Sequence, residues 1–325
     1  MASTWRFSVE RVSEIFADSD SNGKNIDSQS NGEISSSSSE SEQLRDLDES
    51  GISSDVHSPP KKKPRFEFNW SNTSFKPQLF IFASSNSVEI DICISCDIFI
   101  STITSTIDQA IGFSKYIQPV VNHLRDKFKT TLVPYQNLVI DESLMLWQGR
   151  LAFKQYIPSK RHRFGVKLYI LCDCFTGFLL DFIIYTGSTT EYKHTKEFGA
   201  SGSIVMSLMG DYLDEGHNLY ADNWYSSPKL FEDLYQRRTG ACGTIRKDRI
   251  GFPKFDEKLE RGQQVLKHTK NLLALTWYDK REVHMLSTIH TTDMVASEKT
   301  DPRTKQKLME PICIADYNNN MGAVD

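Results

Sequence analysis

The sequence predicts an α/β fold, a mixed β-sheet flanked by helices, preceded by a disordered N-terminal tail. Three observations carry the reading. Short apolar, β-prone runs recur from about residue 135 onward. Two of them, Val166–Asp173 and Phe178–Tyr185, join around Phe175-Thr176-Gly177 as a hairpin. The runs that follow alternate with segments of helical spacing, in the order strand, hairpin, helix, strand, helix, strand.

The tail comes first. Residues 1–60 hold twelve acids against four bases, a net charge of −8, and include the unbroken run Ser35 to Ser39. So polar a stretch buries too little apolar surface to offset the entropy of ordering, and it reads as disordered. The whole chain carries −4, so residues 61–325 carry +4, a weak field that suits a polyanion without proving one. Next stands Pro59-Pro60-Lys61-Lys62-Lys63-Pro64-Arg65. Lys61, Lys62, Lys63 and Arg65 form a compact basic cluster on a proline-stiffened, solvated segment. That is the form of a nuclear localisation signal, and the nucleus is the expected compartment. A plain solvated basic stretch is the blander alternative.

Beyond it, Phe80–Ala83 and Ile90–Ile94 read as strands, and Ile100 to Ile107 is rich in β-branched residues. A helix is expected over 117–130, where Ile117, Val120, Val121, Leu124 and Phe128 recur at helical spacing and Pro119 fits the first turn. A strand Asn137–Asp141 follows, then an irregular stretch with Gly149-Arg150, then the hairpin. A helix is expected over about 203–213 and a strand over Asn218–Asp222. Ser227 caps the next helix, Pro228 is its first residue, it runs to about Gln236, and Gly240 lies past its end. Strands are expected at Ala241–Ile245, 272–278 and 283–290.

Asp141 and Asp222 each end a short apolar run. Burying a carboxylate there is costly unless it meets a metal or a cation. Acids converging from distant segments are one way to hold divalent metals for phosphodiester chemistry. The plain alternatives are a helix cap or a lysine pair for Asp141 and a turn for Asp222. Asp173 and Asp181 compete in the same region. Arg150, Lys154, Lys160, Arg161, Arg163 and Lys167 cluster after the first acid, and Arg246, Lys247 and Arg249 follow a strand end. Such cations grip phosphates or form solvated faces. Trp147, Phe153 and Tyr156 stack on bases or pack in the core.

No P-loop, no GxGxxG after a strand and no HExxH helix is present. The six cysteines (Cys93, Cys96, Cys172, Cys174, Cys242 and Cys313) accompany no secretory signal, so free thiols in a reducing compartment are expected. Cys93 and Cys96 form a lone CxxC and read as strand cysteines. No run approaches the ~18 apolar residues of a membrane helix.

Several segments together resemble the piggyBac-type transposases and the domesticated proteins derived from them. They are Ile140-Asp141-Glu142-Ser143, Trp147-Gln148-Gly149-Arg150, the long run from Phe153 through Lys167 to Asp173, Tyr185-Thr186-Gly187, Ala221-Asp222-Asn223-Trp224-Tyr225, Gly243 to Lys247, Trp277 to Arg281, and Asp316-Tyr317-Asn318 ahead of Met321-Gly322. The likeness covers about 115–325. It implies an RNase H-like fold, with Asp141, Asp222 and Asp325 matching three catalytic acids that bind two divalent metals, usually Mg2+. It implies in-line phosphoryl transfer on DNA, excising and inserting transposon ends through hairpin intermediates, with a homodimer possible.

The chain departs from the pattern. Ala323 stands where a second glycine is usual, the sequence given stops at Asp325, and the cysteine-rich module that often follows is not in it. The expected organisation is therefore a tail over 1–75, a degenerate remnant of an N-terminal region over 76–114, and a C-terminally truncated transposase domain over 115–325. An inactive or incomplete transposase domain is expected, with a non-catalytic nuclear DNA-binding or interaction protein as the alternative. A hydrolase of small phosphoesters would leave the basic patches idle.

Overall fold

A computed structural model of the protein describes residues 67–82, 118–147, 149, 151–158, 163–300 and 307–324. The acidic tail, the basic cluster Lys61 to Arg65, the expected strand at Ile90–Ile94, the β-branched stretch Ile100 to Ile107, and Cys93 and Cys96 lie outside these residues. So do Arg150, Lys160, Arg161, His162 and Asp325.

Helix α1 (Gln118–Thr131) forms where the apolar spacing predicts it and buries Val121 and Phe128. Strand β1 (Asn137–Leu146) runs five residues past its expected end, because Asp141 through Leu146 pair with β3 (Phe164–Asp173) from Ile170 down to Gly165. The short β2 (Gln155–Tyr156) pairs with the start of β3, and β4 (Leu179–Ile184) returns along it as the expected hairpin. Asp173 organises the turn. Its Oδ1 accepts from the Thr176 amide at 2.7 Å and the Phe175 amide at 3.1 Å, and Gly177 takes φ +69°.

Helix α2 (Gly199–Met209) begins four residues before its expected start and gives way to a 3-10 turn at Gly210–Tyr212. Strand β5 (Asn218–Ala221) follows. Then α3 (Pro228–Gln236) starts as predicted, with Pro228 in its first turn and the Ser227 hydroxyl accepting the Leu230 amide. Gly240 lies past the helix end, as expected, and opens β6 (Gly240–Thr244), one residue before the strand's expected start. Strands β7 (Gln264–His268), β8 (Leu273–Tyr278) and β9 (Glu282–Ser287) form a meander. A separate hairpin, β10 (Met294–Thr300) with β11 (Lys307–Pro311), leads into α4 (Ile312–Met321).

Among the described residues the main sheet has nine strands, in the order β2-β3-β1-β5-β6-β9-β8-β7 with β4 also on β3. β1, β5 and β6 are mutually parallel, and their neighbours on either side run antiparallel. This is the expected mixed sheet, and side-chain alternation sorts its two faces. Leu138, Ile140, Leu171, Leu219 and Ala221 pack against Ile204, Val205 and Leu208 of α2 and Leu230, Phe231 and Leu234 of α3. On the other face Val139, Cys172, Tyr220 and Cys242 meet Cys313, Ile314 and Tyr317 of α4. α1 covers β4 with Val121 and Phe128 against Phe182 and Ile184. Asp316 fixes α4 to the sheet by accepting from Tyr220 Oη and lying 2.9 Å from His290 Nε2.

Phe80-Ile81-Phe82 is not a strand. Residues 67–82 form an extended strap whose aromatic rings dock on the body: Phe80 on Tyr235 at 5.0 Å and Phe82 on His217 at 4.8 Å. The strap begins inside the stretch that composition groups with the tail, and Phe75 in it is buried.

Candidate active site

Asp141 and Asp222 come together because β1 and β5 are adjacent and parallel. Ile140 pairs with Ala221 in the last registered position, and each acid is the next residue along its strand. Paired backbones lie about 4.8 Å apart, so the two acids leave the sheet side by side. Asp141 shares the α4 face with Val139, two residues back. Tyr317 of α4 closes that side: burial raises its phenol, and the negative charges of Asp222 and Asp141 add to the effect. Tyr225 feels both acids from the loop after β5.

Asp222 is held by the loop that follows it. Its Oδ1 accepts the Trp224 amide at 2.8 Å, and its carbonyl accepts from the Ser226 amide at 3.1 Å and the Ser226 hydroxyl at 2.9 Å. Burial, then the charge of Glu142, pushes its carboxyl up to about 6, against the opposing pull of the Trp224 and Tyr225 amides and Arg246. Asp141 Oδ1 accepts the Glu142 amide at 2.8 Å. Both donor groups are hard carboxylate oxygens, the ligand type magnesium takes, and magnesium commonly uses only one or two carboxylates with water and substrate phosphate completing its shell. The pair fits such an ion. Among the described residues no group of three metal-ligating side chains forms.

The third acid implied by the resemblance, Asp325, lies outside the described residues, but the chain leading to it is placed. The Ala323 carbonyl lies 3.7 Å from where a Cβ would stand on Gly177, in the β3–β4 turn. Asn320 Oδ1 accepts from Asn137 Nδ2, at the first residue of β1. The approach to Asp325 thus lies at the start of β1, four residues and about 13 Å along the strand from Asp141.

The competing acids have structural partners. Fully buried Asp181 receives a two-pronged contact from Arg125 (2.5 and 2.9 Å) and lies 3.2 Å from Lys129, tying α1 to β4. Asp173 holds its turn and also accepts the Tyr135 amide at 2.7 Å.

Several expected phosphate-gripping cations are engaged within the chain. Lys167 lies 3.8 Å from Glu142 and sits over Tyr169 and Trp224, whose rings stack 5.6 Å apart. Arg246 Nε donates to Asn223 Oδ1 at 3.2 Å, and Lys154 donates to the Gly149 carbonyl and sits over Phe164. Arg163 and Lys247 are exposed. Trp147 is buried and Phe153 packs beside it, whereas Tyr156 is exposed and lies against Phe164 at 4.7 Å.

Three neighbours of the acids escaped the sequence reading: Glu142, Tyr317 and Arg249 as a loop clamp. Glu142 faces away from Asp141 on an alternating strand, so its influence on Asp222 depends on the sheet pairing. Tyr317 is brought in by a helix from the far end of the chain.

Comparison with known proteins gives a consistent picture. Residues 106–325, more than half of the chain, match the family described as Transposase IS4. The chain is 27% identical over 234 residues to the human PiggyBac transposable element-derived protein 3, a match covering 68% of this chain and 39% of that protein. It is equally similar to the human Chimeric ERCC6-PGBD3 protein, of which it spans 22%. The fold resembles a piggyBac transposase solved as a synaptic complex with hairpin DNA, with TM-score 0.55, 23% identity, and coverage of 69% of this chain and 46% of that one. The chain spans less than half the length of each of these relatives. It belongs to the Transposase IS4 family and carries a transposase domain of the piggyBac type.

Proposed function

We propose that this chain is the DNA-handling body of a piggyBac-type transposase, in which Asp141 and Asp222 hold a divalent metal, Mg2+, for phosphoryl transfer on DNA. The observation that carries the reading is the placement of the two acids at the same level of adjacent parallel strands, with Asp222 held up to about 6. When bound, the ion supplies charge to the attacking and leaving oxygens of an in-line displacement. The chain's own groups have narrower tasks. Asp141 and Asp222 supply the carboxylate oxygens, the Trp224 and Tyr225 amides fix the Asp222 carboxylate, and Tyr317 narrows the space beside both acids.

Exposed Arg163 and Lys247 are the described cations for phosphate contact, with Lys160, Arg161 and Arg150 as further candidates from the resemblance. Asp325 is the proposed third ligand, and pairing into a homodimer and nuclear entry through Lys61 to Arg65 belong to the same reading. A non-catalytic DNA-binding protein is the second reading. It is favoured by one observation: Ala323 lies at the start of β1, not at the end where Asp141 stands.

One experiment separates the outcomes. Purified chain is titrated onto duplex DNA over a range of salt, and then incubated with it in Mg2+. Salt-sensitive binding with Mg2+-dependent cleavage that disappears in Asp141→Ala supports the enzyme. The same binding without cleavage supports the second reading. Absence of binding at low salt sinks both.

A further inference from the structure

We infer that the strap before the transposase body is part of the site's architecture: Phe68 and Trp70 are positioning residues that hold the turn at 246–252, and through Arg249 the backbone that follows Asp222. The inference rests on the reading of Asp222 as a site residue.

The chain of contacts is continuous. Trp70 Nε1 donates to the Gly251 carbonyl at 3.1 Å. Gly251 has φ +86°, and a Cβ there would stand 2.9 Å from the Phe68 ring, so the strap lies directly on this residue. The Phe68 and Trp70 rings, 6.0 Å apart, both pack on the α2–α3 core. Gly251 belongs to a turn closed by the Arg249 amide on the Arg246 carbonyl and the Phe252 amide on the Arg249 carbonyl, both at 3.0 Å. From this turn Arg249 Nη2 donates to the carbonyls of Asn223 at 2.6 Å and Trp224 at 3.0 Å. These are the two residues after Asp222, and the Trp224 amide is the one that binds its carboxylate. A shift of the turn is therefore carried to the acid.

The strap is braced at both ends, which makes it a support rather than a loose arm. Ser71 and His268 exchange backbone hydrogen bonds at 2.6 and 2.7 Å, bridging the strap to the edge of β7, and Phe75 lies against the His268 ring at 5.4 Å. At the other end Ile81 passes over Gly216, whose φ is +89° and whose missing Cβ would stand 2.5 Å from the Ile81 carbonyl oxygen.

The test uses the full chain in four variants: Trp70→Phe, Phe68→Ala, Arg249→Met, and Phe80→Ala as a control at the strap's far end. Amide hydrogen exchange at 223–226 and 246–252 is measured together with the indole N–H resonance of Trp224. Trp70→Phe keeps an aromatic ring but loses one hydrogen bond, and is expected to speed exchange at 223–226 about fivefold and to move the Trp224 resonance. Phe68→Ala is expected to do the same. Arg249→Met moves the Trp224 resonance and leaves that of Trp70 in place. Phe80→Ala leaves Trp224 unmoved. Should Phe68→Ala fail to fold, Trp70→Phe decides alone. Loosening of 246–252 with 223–226 and Trp224 unchanged overturns the inference, as does an equal response to Phe80→Ala. Absence of any Mg2+ effect on the wild-type chain counts instead against Asp222 as a ligand and leaves these exchange data to be judged separately.

Discussion

Asp222 carries a measurable conflict. Its carboxyl ordinarily titrates at 3.8 and is pushed up to about 6, chiefly by burial, so the folded chain binds that proton more tightly than the unfolded chain does. The stability tied to this group is complete below pH 3.8 and drains away as pH rises through about 6. Asp222→Asn removes the charge and keeps the shape. In EDTA at pH 7.5 it is expected to melt higher than wild type, by an amount of order 2 kcal/mol, with the gain gone at pH 4. A lower melting temperature at pH 7.5 would show that some unrecognised cation already balances the acid. The residue also shows what was legible. Asp141 and Asp222 stand out in the sequence because each closes an apolar run, and the cost of burying them is visible there. Asp181 interrupts an apolar run instead of ending one and competes on that ground, yet its partners Arg125 and Lys129 lie more than fifty residues upstream on a helix, and only the fold reveals that it is a structural ion pair. Lys167 shows the converse. Its neighbours in sequence are basic, but in space it meets Glu142, Tyr169 and Trp224.

Elements with local signals were legible: α3 from Ser227 and Pro228, the β3–β4 hairpin from Phe175-Thr176-Gly177, and α1 from its spacing. Ser227→Ala removes the hydroxyl that accepts the Leu230 amide and is expected to cost about 1 kcal/mol in chemical denaturation. Elements whose reason lies elsewhere were not legible. β7 is half-buried throughout and offers no clean alternation. α4 contains the poor helix formers Asn318, Asn319 and Asn320, and it is held by tertiary contacts of Asp316 with Tyr220 and His290. The close approach of β5 to β6 also shows only in three dimensions. A Cβ on Gly243 would stand 2.4 Å from the Ala221 carbonyl oxygen and 2.4 Å from Ser226 Oγ, the hydroxyl that donates to the Asp222 carbonyl. Backbone cannot yield as a side chain does. Gly243→Ala is therefore expected to destabilise by roughly 2 kcal/mol and to raise amide exchange at 222–226. Unchanged exchange there would mean that β6 absorbs the methyl by itself.

On the scale of the molecule, the sheet delivers two acids from segments eighty residues apart to one place, and α4 returns to cover them. If that convergence exists to hold a cation, Mg2+ must stabilise the folded chain and not the unfolded one. Linkage sets the size: at a concentration 100 times the dissociation constant the gain is about 2.7 kcal/mol. Wild-type chain is expected to melt progressively higher as Mg2+ is added at pH 7.5, and the effect should weaken at pH 5, where Asp222 is mostly protonated. Asp141→Asn and Asp222→Asn should each remove most of the Mg2+ response while folding normally in EDTA, because a hard cation with one remaining carboxylate is held little better than in water. Duplex DNA should enlarge the wild-type response, since its phosphates supply the oxygens the two carboxylates leave open. Calcium at equal concentration tests selectivity, as its larger shell prefers six to eight oxygens. An identical Mg2+ response in wild type and both asparagine variants would place the cation elsewhere on the surface, and the paired acids would then be a feature of descent without a present ligand.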